Sequence, residues 1–108
     1  MGAGDKLWHV VQVSFHDKAP ESVRQEAYAR YQTLAKDCGG RDTGILFFKV
    51  GWNLDTRKDV HLLEVAVFED SVALQVFRNH PKHKQLSTLL SAWADWWPSN
   101  FFAPLPTL

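Results

Sequence analysis

Histidines are the residues in this sequence best suited to acid–base chemistry. Four of the five lie next to apolar segments: His9, His61, His80 and His83. A histidine changes charge near neutral pH, so one that is buried beside a suitable partner can act as a general base. His9 and His61 each alternate with apolar residues, which predicts that both rings point into a layer between a sheet and its helices. Both are expected either to orient a substrate there or to serve as hydrogen-bonded core residues.

The segment His80-Pro81-Lys82-His83 places two histidines three residues apart across a proline that interrupts a helix. We expect a ring of this segment to be aimed into the mouth of a cavity. His80 is assigned to the same pocket, although helix capping is the interpretation that we favour for it. No nearby cysteine or carboxylate completes a ligand set, so we expect no metal site.

Tyr31 lies on the inward stripe of a predicted helix, where its hydroxyl needs a polar partner. It either pairs with a strand histidine or packs with its hydroxyl satisfied locally. No serine lies in the sharp glycine-flanked turn of a nucleophile, and Gly39-Gly40 is typical of a helix end rather than of a phosphate-binding loop. We therefore expect no covalent catalysis. We also expect no cofactor, and a haem-binding protein is a disfavoured alternative.

Hydrophobic periodicity predicts the elements that must position these side chains. Strands are expected at residues 7–15, 45–52, 60–68 and 95–102, with helices from Pro20 to Gly39, after Asp70 or Ser71, and from Lys82. This order predicts an α+β fold of the ferredoxin-like β-α-β-β-α-β type, with helices on one face of an antiparallel sheet.

Side-chain phases give finer expectations. In the third strand His61, Leu63, Val65 and Val67 are expected on one face and Glu64 on the other. The second strand is apolar almost throughout, which predicts cover on both faces. Pro98 predicts that the last strand is an edge strand or carries a bulge, and Ala103 onward is expected to form an extended arm. The remaining expectations concern the inward positions of the last two helices: Val72, Val76 and Phe77, then Leu86, Leu89, Leu90 and Trp93.

Length and charge limit the possible partners. We expect 108 residues to form a single domain, residues 1–108, and equal numbers of basic and acidic residues, 12 each, disfavour nucleic acid. No apolar run approaches the roughly 20 residues that span a bilayer, so we expect no membrane association and a cytoplasmic location. Five tryptophans and seven phenylalanines exceed what a small core buries, which predicts a homodimer and an aromatic-lined pocket.

Four segments together resemble the stress-responsive dimeric α+β barrel family, known as Dabb domains. They are residues 9–15, Gly51-Trp52-Asn53, residues 61–69 and residues 77–83. The last segment, from Phe77 to His83, is similar to the family's aromatic-x-x-His-Pro-x-His signature. The resemblance covers nearly the whole chain and implies a ferredoxin-like domain that pairs its sheet with a second copy.

One branch of this family resembles plant polyketide cyclases of the olivetolic-acid type, which close a linear poly-β-keto thioester by an aldol step. The resemblance implies that His83 is the general base and that His9, His61 and Tyr31 line the pocket. Phe77, assigned to the same pocket, stands where the cyclase has a tyrosine, so one hydrogen-bond donor is missing.

We therefore expect a pocket enzyme of the cyclase or lyase type, or a binder, for a small hydrophobic, aromatic or polyketide-like molecule. The alternative is a non-catalytic, stress-responsive or ligand-storing dimer.

Overall fold

The computed structural model describes residues 4–106. The elements follow the predicted order: β1 (Asp5–Phe15), α1 (Glu21–Asp37), a short 3-10 helix (Gly40–Thr43), β2 (Ile45–Trp52), β3 (Leu62–Phe68), α2 (Ser71–Asn79), α3 (Pro81–Trp93) and β4 (Ala94–Pro104). The four strands form one sheet in the order β2-β3-β1-β4, and every neighbouring pair is antiparallel. The predicted ferredoxin-like α+β fold is confirmed.

The core lies between one face of the sheet and the helices. In β1 the odd-numbered residues from Leu7 to Phe15 are buried, as the alternation predicted. Helix α1 contributes Ala27, Tyr31 and Leu34 to the same layer. His9 and Tyr31 therefore both point inward from opposite sides of the core.

The predicted orientation of β3 is wrong. Its residues Leu62, Ala66 and Phe68 belong to the core under the helices, and Glu64 is buried with them. Leu63, Val65 and Val67 alternate with this set and therefore occupy the opposite face. Both faces of β3 are apolar, so alternation alone could not tell which one the helices cover. The pairing of β3 with β1 decides it, because Val11 faces Glu64 in the register.

The two later helices begin and end where their caps predict. Asp70 accepts a hydrogen bond from the amide of Ala73 at 2.9 Å, and Pro81 opens α3 directly after His80. The inward face of α2 differs from the prediction, because Val72 and Val76 are 71% and 45% exposed. The buried residues are Ala73, Leu74 and Phe77.

Close packing explains the shift in the inward face of α2. A Cβ atom at Gly44, which has a φ of +86°, would lie 2.7 Å from the Cβ of Ala73. The contact therefore requires small residues at both positions, and Ala73 rather than Val72 faces the core. In α3 the prediction holds: Leu86 and Leu90 are buried, and Leu89 and Trp93 pack partly buried against them.

Strand β4 is an edge strand, as Pro98 predicted, but it continues to Pro104, where an extended arm was expected to begin at Ala103. Strand β2 is the other edge. Phe47 on β2 is 43% exposed in the single chain, so the predicted cover on the second face of β2 has to come from a partner. No helix within residues 4–106 is long and apolar enough to cross a membrane.

The sheet face that points away from the helices carries large apolar side chains. Trp8 and Phe101 face each other across β1 and β4, and their rings stack at 5.8 Å with an interplanar angle of 9°. Phe47 and Trp97 are exposed on the flanking strands. We call this surface the outer sheet face.

Candidate functional site

A cavity of about 270 Å³ opens between the helix-covered face of the sheet and the helices. We call it the inner cavity. It brings together five side chains that carry charge or titrate: His9, Tyr31, Glu64, Arg78 and His83. The rest of its wall consists of six largely apolar residues and one serine, namely Val11, Leu34, Leu86, Leu90, Trp96, Pro98 and Ser87.

The carboxyl group of Glu64 is buried in the wall of the inner cavity, and the residue is only 2% exposed. The hydroxyl of Tyr31 donates a hydrogen bond of 2.5 Å to Oε1. The second oxygen, Oε2, has no hydrogen-bond partner among the described residues. A buried carboxylate without a full set of partners is costly, and a carboxyl in this position takes up a proton instead.

Burial accordingly raises the pKa of Glu64 to about 7, although the hydrogen bond from Tyr31 and the positive charge of Arg78 act in the opposite direction. Burial and the adjacent Glu64 raise the pKa of the Tyr31 phenol well above its usual value, so the phenol remains a donor. The chain therefore presents a largely protonated carboxyl group to the cavity below neutral pH.

His9 links this carboxyl to the protein surface. Its Nδ1 lies 2.6 Å from Oδ1 of Asn100, an oxygen that only accepts, so Nδ1 carries the proton and donates. Its Nε2 is therefore an acceptor, and it lies 3.6 Å from Oε2 of Glu64. Burial lowers the pKa of His9, although the hydrogen bond to Asn100 opposes this effect. Tyr31, Glu64, His9 and Asn100 thus form a chain from the core to the exposed edge strand.

His83 faces the inner cavity from the first turn of α3. Its ring packs against that of Phe77 in an edge arrangement, with centroids 4.7 Å apart, and its Nδ1 lies 3.4 Å from Oγ of Ser87. Burial lowers the pKa of His83 to about 4, with further contributions from His9 and Arg78. The imidazole is neutral at physiological pH and has a lone pair available to accept a proton.

The structure separates the remaining predicted site residues from the cavity wall. Phe77 is a core residue, packed among Phe48, Phe68 and His83, and it contributes no polar group. His80 caps α3, where its Nδ1 accepts a hydrogen bond from the amide of Lys82 at 3.1 Å. His80 is not part of the wall of the inner cavity, and the capping interpretation agrees with the structure.

His61 also lies outside the wall of the inner cavity. Its Nδ1 accepts a hydrogen bond from the backbone amide of Phe15 at 2.8 Å, so the ring caps the end of β1. His61 lines a separate, polar cavity beside the β2–β3 loop. The cause is the register of β3, which turns Glu64 toward the helices in the place where a histidine was expected.

Sequence reasoning missed Glu64, Arg78 and Asn100 as site residues. Glu64 did leave a signal, because it is the one charged residue within an otherwise apolar strand. Arg78 and Asn100 left none. Tyr31 was expected either to pair with a strand histidine or to have its hydroxyl satisfied locally, and the structure supplies Glu64 as its partner. Within residues 4–106 no group of three or more histidine, cysteine or carboxylate side chains is arranged to hold a metal ion.

Comparison with known proteins identifies a family. A family model described as the stress-responsive A/B barrel domain matches residues 7–97. No curated protein matches the sequence.

Several solved structures share the fold. A dimeric ferredoxin-like protein of unknown function from Thermobifida fusca has a TM-score of 0.78 and 13% identity, over 94% of this chain and 93% of that one. The hydroxynitrile lyase from Passiflora edulis has a TM-score of 0.75 and 13% identity, over 97% and 99% of the two chains. SnoaB, a cofactor-independent oxygenase from Streptomyces nogalater, has a TM-score of 0.70 and 18% identity, over 94% and 96%. These similarities establish the fold alone.

The displaced pKa of Glu64 predicts how stability depends on pH. The folded-state pKa of about 7 exceeds the ordinary value of 4.5, so the stabilisation from the neutral carboxyl is complete below pH 4.5 and is lost as pH rises through 7. Relative to Glu64→Gln, which does not titrate, the free energy of unfolding of the wild type should fall by about 3 kcal/mol across this range. Urea unfolding at fixed protein concentration measures the difference.

Glu69→Gln provides the matched control for this experiment, since it removes an exposed carboxyl directly after the same strand. A wild type whose stability relative to Glu64→Gln is the same at every pH would contradict the assignment of a neutral buried carboxyl.

Proposed function

The chain belongs to the Dabb family of stress-responsive A/B barrel domains, as its motifs predicted, and on this premise we propose that it is a cofactor-independent acid–base enzyme. Its substrate is a small aromatic or otherwise apolar carbonyl compound. The observation that carries the proposal is the meeting of a buried carboxyl with one unpartnered oxygen, that of Glu64, and a neutral imidazole, that of His83, at the inner cavity.

The two groups are suited to opposite roles. Two titratable groups whose environments push their pKa values apart are a usual sign of an acid and a base in one site. His83, with a pKa of about 4, is unprotonated at pH 5 to 7 and can accept a proton. Glu64, with a pKa of about 7, is protonated over most of that interval and can donate one. His83 is thus the proposed base and Glu64 the proposed acid.

The proposed step is enolisation. His83 takes a proton from the carbon next to a substrate carbonyl, and the electron pair of the broken C–H bond forms the carbon–carbon double bond of an enol. Glu64 delivers its proton to the carbonyl oxygen, so charge is conserved. Attack of the enol carbon on a second carbonyl group gives an aldol-type ring closure, and the reverse sequence is a lyase reaction. This is the reaction class of the polyketide-cyclase-like enzyme that the family resemblance implied.

The surrounding residues support both roles. The hydrogen bond from Tyr31 occupies Oε1 of Glu64, which leaves Oε2 to carry the proton. His9 has its acceptor nitrogen 3.6 Å from Oε2, and its other nitrogen donates to Asn100 on the exposed edge strand, so its ring is held in place beside the protonated oxygen of Glu64. We assign His9 and Tyr31 positioning roles. The apolar wall formed by Leu34, Leu86 and the remaining aliphatic and aromatic residues favours a hydrophobic or aromatic substrate.

A lyase and a cofactor-independent oxygenase share the fold, which makes an enzyme role plausible here, although their identities to this chain are too low for a reaction to be transferred. A second candidate function is ligand binding without turnover. It is favoured by Phe77, which places a ring edge against His83 where a phenol would supply a further hydrogen-bond donor.

We also propose that two copies pair through the outer sheet face. Trp8, Phe47, Trp97 and Phe101 leave a large apolar area there, and exposed areas of this kind mark interfaces. A further concavity of about 590 Å³ on this face is lined in part by Val65, Val67, Leu105 and Pro106. The Thermobifida protein with the same fold is described as dimeric.

Proton abstraction can be tested with acetophenone, an aromatic ketone whose methyl protons exchange with heavy water through an enol. We expect the protein to accelerate the exchange measured by proton NMR, with a bell-shaped pH profile whose limbs lie near 4 and 7. His83→Asn should reduce the acceleration about a hundredfold or more, because a positioned base contributes at least that factor. Glu64→Gln should lower the rate and remove the upper limb.

His80→Asn is the matched control, since asparagine also caps helices and His80 lies outside the cavity. It should leave the exchange rate unchanged. Binding of acetophenone without accelerated exchange would favour the non-catalytic alternative. A rate that increases through pH 7 would instead make the Glu64 carboxylate the base and contradict the assigned roles.

The dimer can be tested by sedimentation at micromolar concentration. The wild type should have twice the mass of one chain. Val65→Lys, which places a charge in the middle of the outer sheet face, should be monomeric because an interface excludes an unpaired charge. Val72→Lys, on the exposed face of α2, should remain dimeric. A wild type that sediments as a monomer would contradict the proposal.

A further inference from the structure

Arg78 is the one permanently charged residue in the wall of the inner cavity that the proposed reaction does not use. It lies in the last turn of α2 and is partly buried. Its neighbours in the sequence point elsewhere: Phe77 into the core and Asn79 into solvent. Within residues 4–106 its guanidinium makes no hydrogen bond or ion pair.

The charge of Arg78 acts directly on the acid–base groups of the cavity. After burial, it is among the causes that set the pKa of Glu64, His9 and His83. None of these groups supplies a full compensating negative charge below neutral pH, because an imidazole is not an anion in either protonation state and the carboxyl of Glu64 is largely protonated. The cavity therefore carries close to one net positive charge before a ligand enters.

A guanidinium in a partly buried site is suited to one kind of ligand group. Its planar array of N–H donors matches the two oxygens of a carboxylate, and such paired hydrogen bonds are shorter and stronger than neutral ones. A neutral ligand that filled the same apolar cavity would exclude water from the guanidinium without replacing the lost hydrogen bonds, which is unfavourable. The arrangement thus discriminates by charge as well as by shape.

We propose that Arg78 binds a carboxylate of the ligand, so that the inner cavity binds aromatic or apolar keto acids more tightly than neutral ketones of the same size. This inference rests on the proposed function, because it names the substrate class of the same site. Arg78 is a specificity-determining residue: it holds the carboxylate while the ketone of the same molecule reaches His83 and Glu64.

The competing explanation is an internal ion pair in which Arg78 serves only Glu64. The two explanations predict different behaviour. If the charge of Arg78 were taken up by an internal ion pair with Glu64, the cavity would show no preference between an anionic and a neutral ligand of the same shape. If Arg78 serves the ligand, the preference should be present in the wild type and depend on the guanidinium.

The test compares 3-benzoylpropionate with 3-benzoylpropionamide, two flexible aromatic ketones that differ only in the charge of one end. Isothermal titration calorimetry would measure both dissociation constants for the wild type, Arg78→Lys and Arg78→Met at one pH and ionic strength. We expect the wild type to prefer the carboxylate by about tenfold or more, as a charge-assisted hydrogen-bonded pair provides. Arg78→Lys should retain part of this preference and Arg78→Met should lose it.

Arg30→Met is the matched control. It changes the net charge of the protein by the same amount, but Arg30 is exposed, contacts Glu26 and lies outside the inner cavity. Its preference for the carboxylate should equal that of the wild type. If instead Arg30→Met and Arg78→Met lowered the preference equally, the effect would come from net charge and the proposal would be overturned.

The outcomes separate this proposal from the function on which it rests. If the wild type binds both ligands equally and exchange of the ketone still depends on His83, the carboxylate assignment fails and the enzyme assignment stands. If neither ligand binds, the carboxylate assignment fails, and the acetophenone exchange alone decides the enzyme assignment. The wild-type comparison is decisive even if Arg78→Met does not fold, because absence of a carboxylate preference overturns the proposal by itself.

Discussion

A carboxyl group buried beneath the helices of a small sheet must either find hydrogen-bond partners or take up a proton and lose its charge. Glu64 has one hydrogen-bond partner and is also largely protonated below neutral pH. Tyr31 satisfies one oxygen, and the other faces the inner cavity without a partner. The need to accommodate this group explains why a tyrosine on α1 and a histidine on β1 converge on the same point. The acid–base character of the cavity follows from that single burial.

The sequence predicted the elements well because their signals are local. Alternating residues in β1, the three-to-four spacing in α1 and the caps at Asp70 and Pro81 each depend on a few neighbouring positions. The inward faces of β3 and α2 were mistaken because they depend on partners that are distant in the chain. A lone glutamate in a strand suggests a solvent face, and only its register opposite Val11 places it in the core.

The same limit applies to the candidate site. His9, Tyr31 and His83 could be predicted because apolar periodicity or a family motif surrounds them, and the structure brings all three to one cavity. Arg78 and Asn100 belong to that cavity through the packing of α2 and the pairing of the last strand, which no local pattern encodes. The two faces of the sheet also differ in character. The helix-covered face holds the polar groups, while the outer sheet face offers apolar area for a second copy.

The protonation state of Glu64 is the central claim, and a direct titration tests it. NMR of protein labelled at the glutamate carboxyl carbons, with Glu64→Gln used to assign the signal, would follow this one group across pH. We predict a midpoint near 7, well above the ordinary value of 4.5. A midpoint at or below the ordinary value would show that the carboxyl is charged throughout the neutral range, and the acid role with its dependent network would have to be abandoned.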